Sequence, residues 1–356
     1  MTLTATIFRK LFGHAGKAAL FAMALTLTAC DSMIYDHDDD CDPVYKVRFR
    51  YDYNLKKADA FPSEVNAVTL YVIDPATGEV VWQKTDDSEA VRQEGYMMDI
   101  EGLEPGDYKL LAWAGDGHNG SPHFTMGTGT HDHHLTARIN RAEGGIVNTD
   151  LHRLYKDLDF EYETREFPKS WGTHVQTVRL MKNTNDIHVV LQHLSGEPVD
   201  PNLFTYEIEE ANGSMDHTNQ LTDDETLTYR PWRVRAGLAT GFVPENIEES
   251  KFSCAIADFT VGRMMAGRKM WLTIRKKEQP AESRAAIQDD NLVARIPVID
   301  YSLLVKGHYE NMPDQEYLDR QDDYSMVFFL DDDMRWINAY IYVNAWMVVP
   351  PQDTEM

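Results

Sequence analysis

The chain has 356 residues, a formal net charge of −24 at pH 7 and three cysteines. So acidic a protein is a poor partner for nucleic acid or an anionic membrane surface, because like charges repel. Its length is typical of two domains, and a hydrophobic content of 43% is enough to build buried cores.

The N-terminus has the features of a bacterial lipoprotein signal peptide. Residues 1–29 carry basic residues but no acidic one, and a short apolar run ends just before Cys30. The run is too short to span a bilayer, which takes about 20 residues. Leu-Thr-Ala-Cys, residues 27–30, matches the site where such signals are cleaved and the cysteine is lipidated. We therefore predict that residues 1–29 are a signal peptide that is cleaved off. Cys30 is then expected to carry lipid, with palmitate among its acyl chains. The alternative is an ordinary signal peptide with a chance cysteine.

An acidic tether is predicted next, over residues 30–43. Its acidic run resembles the export signal that sends lipoproteins of Bacteroidetes to the outer face of the outer membrane. In other Gram-negative groups, Asp31 would instead indicate retention in the inner membrane. The run is also consistent with a solvated linker that charge repulsion keeps extended. The residues assigned to the export signal are Asp36, Asp38, Asp39 and Asp40.

The chain then alternates as β-strands do. In residues 44–53, apolar and aromatic side chains occupy every second position, which predicts a strand with one buried face. Residues 74–78, Asp-Pro-Ala-Thr-Gly, predict a hairpin turn between two strands. Residues 110–114 are apolar on both faces, so we expect their strand at the centre of a sandwich.

A break in the pattern at residues 165–174 predicts a boundary between two domains, residues 44–170 and 171–356. Alternation resumes at residue 174. Runs of short strands separated by turn signals favour sandwiches over an α/β fold. The fold class is therefore all-β, with two tandem β-sandwich domains behind a lipidated tether. Later strand-like stretches are residues 203–212, 253–277, 292–304 and 337–349.

The last predicted strand, residues 337–349, has two distinct faces. Aromatic side chains on one face, Tyr340, Tyr342 and Trp346, can stack on sugar rings, meet a protein partner or pack beneath a second sheet. The opposite face is the predicted partner strand of a sheet edge, and it carries Ile337, Ala339, Ile341, Val343, Ala345 and Met347.

The sequence contains no zinc-protease, hydrolase, phosphate-loop or paired-thiol motif, so we expect neither an enzyme nor a cofactor. Residues 331–333, three aspartates, lie between two predicted strands. They predict a solvated turn rather than the spaced acid pair of a glycosidase.

A loop-rich stretch from Gly115 to Gly145 is rich in histidine. Its segment His-Asp-His-His, residues 131–134, offers imidazole and carboxylate ligands of the kind that zinc binds. No fixed spacing to a second rigid element supports a closed site, so we expect a solvated loop and no metal. The histidines of this stretch are His118, His123, His131, His133 and His134.

The sequence leaves open whether the two remaining cysteines form a disulfide. Cys41 lies in the tether and Cys254 in a predicted strand. An oxidising compartment permits a bond between them. Because they occupy such different segments, we favour two separate thiols.

Four stretches resemble the fimbrial anchor lipoproteins of Bacteroidetes, the fimbrillin-associated anchor proteins. The stretch just after Cys30 is the most specific of the four, and the others are weaker β patterns. The histidine-rich loop is not a feature that the resemblance explains. The four stretches are residues 31–74, 102–115, 177–191 and 340–349.

The resemblance implies two transthyretin-like sandwiches and a minor subunit of type V fimbriae. Such a protein is a surface-exposed lipoprotein of the outer membrane that anchors the fibre through pilin subunits and limits its length. The implied joint is strand complementation, which we place at an open sheet edge involving residues 337–349. The main alternative is a surface glycan-binding lipoprotein of a polysaccharide-uptake system, and a hydrolase is a third. The partner pilin, the direction of strand donation and any proteolytic trimming stay open.

Overall fold

The computed structural model describes residues 42–242, 249–277, 291–337, 341–344 and 346–348. By internal contacts the chain divides into a small unit, Met1–Val44 with Lys169–Gly172, and a large one, Tyr45–Pro168 with Thr173–Met356. In the small unit, the N–H of Val44 donates to the carbonyl oxygen of Gly172 at 2.9 Å. The sheets and hydrophobic clusters lie in the large unit, apart from Val44, which begins the first strand.

Strands dominate the described chain. The first eleven are β1 (Val44–Arg50), β2 (Val68–Ile73), β3 (Val80–Asp86), β4 (Met97–Ile100), β5 (Gly106–Gly115), β6 (Phe124–Met126), β7 (Ala137–Ile139), β8 (Ile146–Val147), β9 (Leu154–Asp157), β10 (Arg165–Phe167) and β11 (Thr173–Lys182). The others are β12 (Thr184–His193), β13 (Phe204–Glu210), β14 (Ser214–Met215), β15 (Leu227–Tyr229), β16 (Arg233–Phe242), β17 (Glu249–Gly262), β18 (Trp271–Lys276), β19 (Leu292–Pro297), β20 (Asp323–Leu330), β21 (Ile341–Val343) and β22 (Trp346–Val348).

The α-helices of the described residues are short: α1 (Phe61–Glu64), α2 (Val298–Leu304) and α3 (Asp314–Arg320). In the part of the chain that the structure describes, no helix has the length and apolar character needed to cross a membrane. With so little helix, the sheets must supply the core.

The strands form four sheets. The first has the order β3-β2-β5-β9-β11-β1-β4, with β10 also beside β5, and the second has the order β16-β17-β12-β20-β21-β22. The third has the order β19-β18-β13-β15-β8, and a small sheet joins β14, β7 and β6. Pairing is mostly antiparallel, but β12 runs parallel to β20 and β8 parallel to β15. The predicted all-β, sandwich-like fold is confirmed.

The N-terminal elements follow the predicted alternation. In β1, Tyr45, Val47 and Phe49 are buried, while Arg48 and Arg50 are exposed. One face of β1 therefore packs on a core and the other meets solvent.

The predicted hairpin at residues 74–78 joins β2 to β3. The Asp74 carboxylate accepts from the N–H groups of Ala76 and Thr77 at 2.7 and 3.1 Å, and Gly78 has a φ of +74°. An Asx-type turn with glycine in the left-handed region is what this composition favours. The turn prediction is confirmed.

Strand β5 is covered on both faces, as predicted. Leu110 and Ala112 belong to one hydrophobic cluster, together with side chains of β1 and β4. Leu111 and Trp113, on the other face, belong to a second cluster that extends into β12, β17 and β20. One strand thus contributes to two cores, which explains why its sequence has no polar face.

Strand pairing does not follow the predicted boundary at residues 170 and 171. β11 lies after that boundary, yet it bonds to β9 of the first sheet. β8 lies before it, yet it bonds to β15 of the third sheet. The division into two domains at residues 170 and 171 stays a prediction. Strands β8 and β11 each pair with a strand from the other side of that boundary.

The stretch 292–304 is only half a strand. β19 ends at Pro297, and α2 begins at Val298 with Val298, Ile299 and Tyr301 buried. A continuous apolar run does not distinguish a buried strand from a buried helical turn, so the prediction of a strand throughout is wrong.

Because many of its tyrosines are buried, we expect the folded protein to lose stability in alkali. Burial raises the pKa of many phenols above the ordinary value of 10.0, and five deeply buried ones are among them. The folded state therefore keeps protons that the unfolded state loses above pH 10. Each such tyrosine contributes stability that is fully present below pH 10 and falls above it, by up to about 1.4 kcal/mol per pH unit. The five are Tyr51, Tyr155, Tyr206, Tyr229 and Tyr324.

This prediction is checked by following tyrosinate absorbance and far-ultraviolet circular dichroism together as the pH is raised past 10. The two signals should change in one cooperative step, since the buried phenols ionise only when the chain unfolds. Ionisation of all tyrosines near pH 10 with the dichroism unchanged would contradict the burial argument.

Candidate functional site

A charged cleft of about 560 Å³ opens beside the second sheet. Its walls come from distant parts of the sequence: the end of α1, the loop after β5, the segment before β9, strand β12 and the start of β16. Residues that line it include Glu64, Asp116, His152, Asp186, His188 and Arg233.

Asp258 is the best-connected acid near this cleft. Its side chain is buried on β17, where it accepts from His188 Nδ1 and Arg233 Nε, each at 2.7 Å. Burial acts to raise the pKa of Asp258, but these hydrogen bonds outweigh it and hold the pKa below its usual range. An ionised carboxylate so fully paired serves to join β12, β16 and β17.

Other side chains around the cleft are also paired. Glu64 accepts from Tyr155 Oη at 2.9 Å and lies 3.3 Å from Arg153 NH1. Thr260 Oγ1 donates to Asp186 at 2.9 Å. These groups bind one another, so the side chains around the cleft hold separate segments of the chain together.

The structure separates the predicted histidine-rich loop into two groups. His131, His133 and His134 lie side by side, with the rings of His133 and His134 4.1 Å apart. His118 and His123 instead approach Asp116. Spacing within the loop did not indicate this division.

A further histidine, His152, joins the second group. Its ring lies 4.6 Å from that of His123, and its Nδ1 atom lies 4.0 Å from Asp116 Oδ2. Sequence reasoning missed His152 because it lies outside the loop, just before β9.

The aspartates of residues 331–333 form the predicted turn. Asp331 Oδ1 accepts from the N–H groups of Asp333 and Arg335, and the Asp331 N–H donates to the Arg335 carbonyl oxygen at 2.9 Å. The turn follows β20 directly, which confirms the structural interpretation of this acidic run.

The predicted final strand is a hairpin in its described part. β21 and β22 are antiparallel, with Val343 opposite Trp346 and Tyr342 opposite Met347. Asn344, between them, has a φ of +48°, a left-handed value that asparagine tolerates. A single continuous strand over residues 337–349 is therefore wrong, because the chain reverses direction at Asn344 and pairs Met347 with Tyr342.

The segment nevertheless contributes to the core. Ile341 and Val343 are fully buried, and Ile337 is half-buried. Tyr342 packs edge-on against Phe329 at 5.7 Å. Ala339, Ala345 and Tyr340 lie outside the described residues.

Two strands end the second sheet: β16 on one side and β22 on the other. β16 is ten residues long, and its Val234 and Leu238 side chains are 42% and 68% exposed. A long terminal strand with exposed apolar side chains is a ready template for a further strand.

The lipidation and export residues, Cys30 and Asp36, Asp38, Asp39 and Asp40, lie outside the described residues. Cys41 does as well, whereas Cys254 is buried in β17. The lipid, the export signal and the separate thiols stay predictions.

The described residues define a class of protein: an all-β, sandwich-like fold. A family model described as fimbrillin-A associated anchor proteins Mfa1 and Mfa2 matches residues 38–350. The chain belongs to this family, which confirms the resemblance found in the sequence. The family is one of structural fimbrial proteins of the cell surface rather than of enzymes, and its partners are fimbrial subunits.

Solved structures agree with this assignment. A crystal structure described as a candidate adhesin from Bacteroides thetaiotaomicron has a TM-score of 0.73 and 32% identity, over 88% of this chain and 99% of that one. Another from the same organism, described as a candidate polysaccharide-binding protein, has a TM-score of 0.70 and 28% identity, over 88% and 100%. The fimbrial anchor protein Mfa2 from Porphyromonas gingivalis shares the fold, with a TM-score of 0.57 and 16% identity over 87% and 99%. No curated protein sequence matches the chain.

Proposed function

We propose that this protein anchors fimbriae to the outer membrane through lipid on Cys30 and limits the length of the fibre. The observation that carries the proposal is the family match over residues 38–350. It is supported by the lipoprotein cleavage sequence at residues 27–30 and the acidic run behind it. Several acyl chains together hold a protein in a membrane essentially permanently, which is what a fibre anchor requires.

The joint to the pilus is strand complementation, in which an extended strand of one subunit completes a sheet of the next. Backbone hydrogen bonds supply the strength of such a joint, and alternate side chains set its register. The two ends of the second sheet, β16 and β22, are the candidate edges.

β16 is the better of these edges. Its ten residues can form a long ladder, whereas β22 has three. Leu238 and Val234 give the added strand apolar contacts. The C-terminal segment, residues 337–347, stays the second candidate, because β22 also ends the sheet and an added strand there would adjoin β22.

Leu238→Lys is expected to weaken binding of the partner pilin by about tenfold or more, because a charged ammonium replaces a central apolar contact. Val81→Lys is the matched control, since Val81 is 48% exposed on β3, the terminal strand of a different sheet. Its affinity should equal that of the unchanged protein. Binding is measured by surface plasmon resonance, with amide hydrogen exchange on the same complexes.

New amide protection along β16 on binding would support this edge. Protection confined to residues 341–348, with normal affinity for Leu238→Lys, would move the joint to the C-terminal edge. Bound pilin with no new protection on either edge would contradict strand complementation.

Polysaccharide binding is the second candidate function. It is favoured by the relative from Bacteroides thetaiotaomicron that is described as a candidate polysaccharide-binding protein and is 28% identical. Neighbouring genes separate the two functions: pilin genes accompany a fimbrial anchor, and porin-like transporter genes accompany a polysaccharide-uptake system.

A further inference from the structure

Three loop segments bring metal-binding side chains together near the cleft. Asp116 follows β5, His123 precedes β6 and His152 precedes β9. The N–H of Asp116 donates to the Arg153 carbonyl oxygen at 2.8 Å, which ties the first segment to the third. The His123 carbonyl oxygen accepts from Asn140 at 2.8 Å, which ties the second segment to the chain after β7. Backbone hydrogen bonds thus constrain the segments that carry the three side chains.

The ligand atoms of these side chains face one another. His123 Nδ1 lies 2.5 Å from Asp116 Oδ2, and His152 Nδ1 lies 4.0 Å from the same oxygen. One ligand atom from each of the three residues lies within 4.8 Å of the others. Ligands about 2.0–2.1 Å from a tetrahedral zinc ion are about 3.3 Å apart, so small side-chain movements would complete the geometry.

We propose that Asp116, His123 and His152 form a binding site for a divalent transition-metal ion, best matched by Zn²⁺. Two imidazole nitrogens and one carboxylate oxygen are a ligand set typical of zinc. Calcium and magnesium instead prefer sites made of oxygen ligands alone. This site replaces the expectation of solvated histidines at positions 118 and 123 and does not depend on the fimbrial function.

The placement of His152 needs an explanation that an ordinary ion pair does not give. Asp116, 8% exposed, already lies within hydrogen-bond distance of the Nδ1 atom of His123. His152 nevertheless approaches the same carboxylate oxygen with a φ of +51°, a left-handed conformation that costs energy in residues other than glycine. A metal shared by both imidazoles would repay that cost.

His118 lies next to this group but is not one of the three residues whose ligand atoms all lie within 4.8 Å of one another. Its Nδ1 atom lies 3.1 Å from the Asn119 carbonyl oxygen. Its Nε2 atom lies 3.9 Å from Asp116 Oδ1. The metal would tie the loop between β5 and β6 to the segment before β9.

The test is calorimetric titration of the full-length, detergent-solubilised and chelator-treated chain with ZnCl₂. We expect one tight zinc per chain. His152→Asn and His123→Gln should each weaken binding by at least about tenfold, because each removes a ligand. Asparagine is chosen at position 152 because it tolerates left-handed backbone. His133→Asn, in the neighbouring histidine group, is the matched control and should bind as the unchanged protein does.

Circular dichroism of every variant without metal checks that the fold is retained, and Co²⁺ absorption reports the coordination geometry independently. Tetrahedral Co²⁺ absorption that disappears in His152→Asn would support the site. Absence of a one-to-one site would overturn the proposal. Loss of zinc binding in His133→Asn, with normal binding in His152→Asn, would also overturn it by placing the metal at residues 131–134.

Discussion

Asp157→Ala is expected to lower the free energy of unfolding by about 3–5 kcal/mol, the cost of leaving a buried partner charge uncompensated. Asp157 and Lys156 lie next to each other on β9, both buried, and form an ion pair. The Asp157 carboxylate also accepts from the N–H groups of Ala112 and Phe160, each at 2.8 Å. The substitution would therefore leave the Lys156 ammonium and two backbone N–H groups buried without the carboxylate that they bind.

The surroundings of Lys156 explain why the expected loss of stability is large. Its ammonium lies 5.5 Å from the centre of the Trp113 ring and 5.3 Å from that of Phe160. Burial lowers the pKa of Lys156, while Asp157 acts to raise it. Without Asp157, the folded protein must hold either a bare buried charge or a deprotonated lysine, and both cost free energy.

Urea unfolding of the full-length chain measures the effect. Asp300→Ala is the matched control, because Asp300 pairs with Lys269 at 2.7 Å on the surface, where such pairs contribute about 1 kcal/mol or less. Adding Lys156→Met to Asp157→Ala should recover part of the lost stability, since it removes the stranded charge. Equal losses for Asp157→Ala and Asp300→Ala would contradict this account of the core.

Local features of the fold were predictable because their causes are local. The alternation of β1 follows from one buried face, and the turn at residues 74–78 follows from an aspartate cap and a left-handed glycine. β5 was placed centrally because both of its faces are apolar. Each of these signals lies within ten residues of chain.

The C-terminal hairpin shows where alternation fails. A tight turn at Asn344 leaves the apolar and aromatic residues alternating in sequence, yet it exchanges the faces beyond it. Ile341 and Val343 were correctly placed on one face, but the reversal of the chain after them was not predicted. Asparagine at a left-handed position is a hairpin signal, and here it was hidden within an apolar run.

The candidate site depended on contacts that sequence spacing does not encode. The pairing of His188 with Asp258 requires β12 and β17 to be neighbours. The group of Asp116, His123 and His152 requires three separate loops to converge. Because such proximity follows from long-range strand order, a histidine-rich loop was visible in the sequence, but the third ligand was not.

Replacing Cys30 by Ala in the native bacterium tests the anchor function most directly. Without the cysteine no lipid can be attached, so the protein loses its hold on the membrane while its folded part is unchanged. Electron microscopy of cells and of culture fluid measures the outcome, and immunoblotting confirms that the variant is made and stable. We predict that nearly all fibres are released into the fluid. Fibres that stay on the cells in normal number and length, with the variant protein present, would contradict the anchor and favour polysaccharide binding.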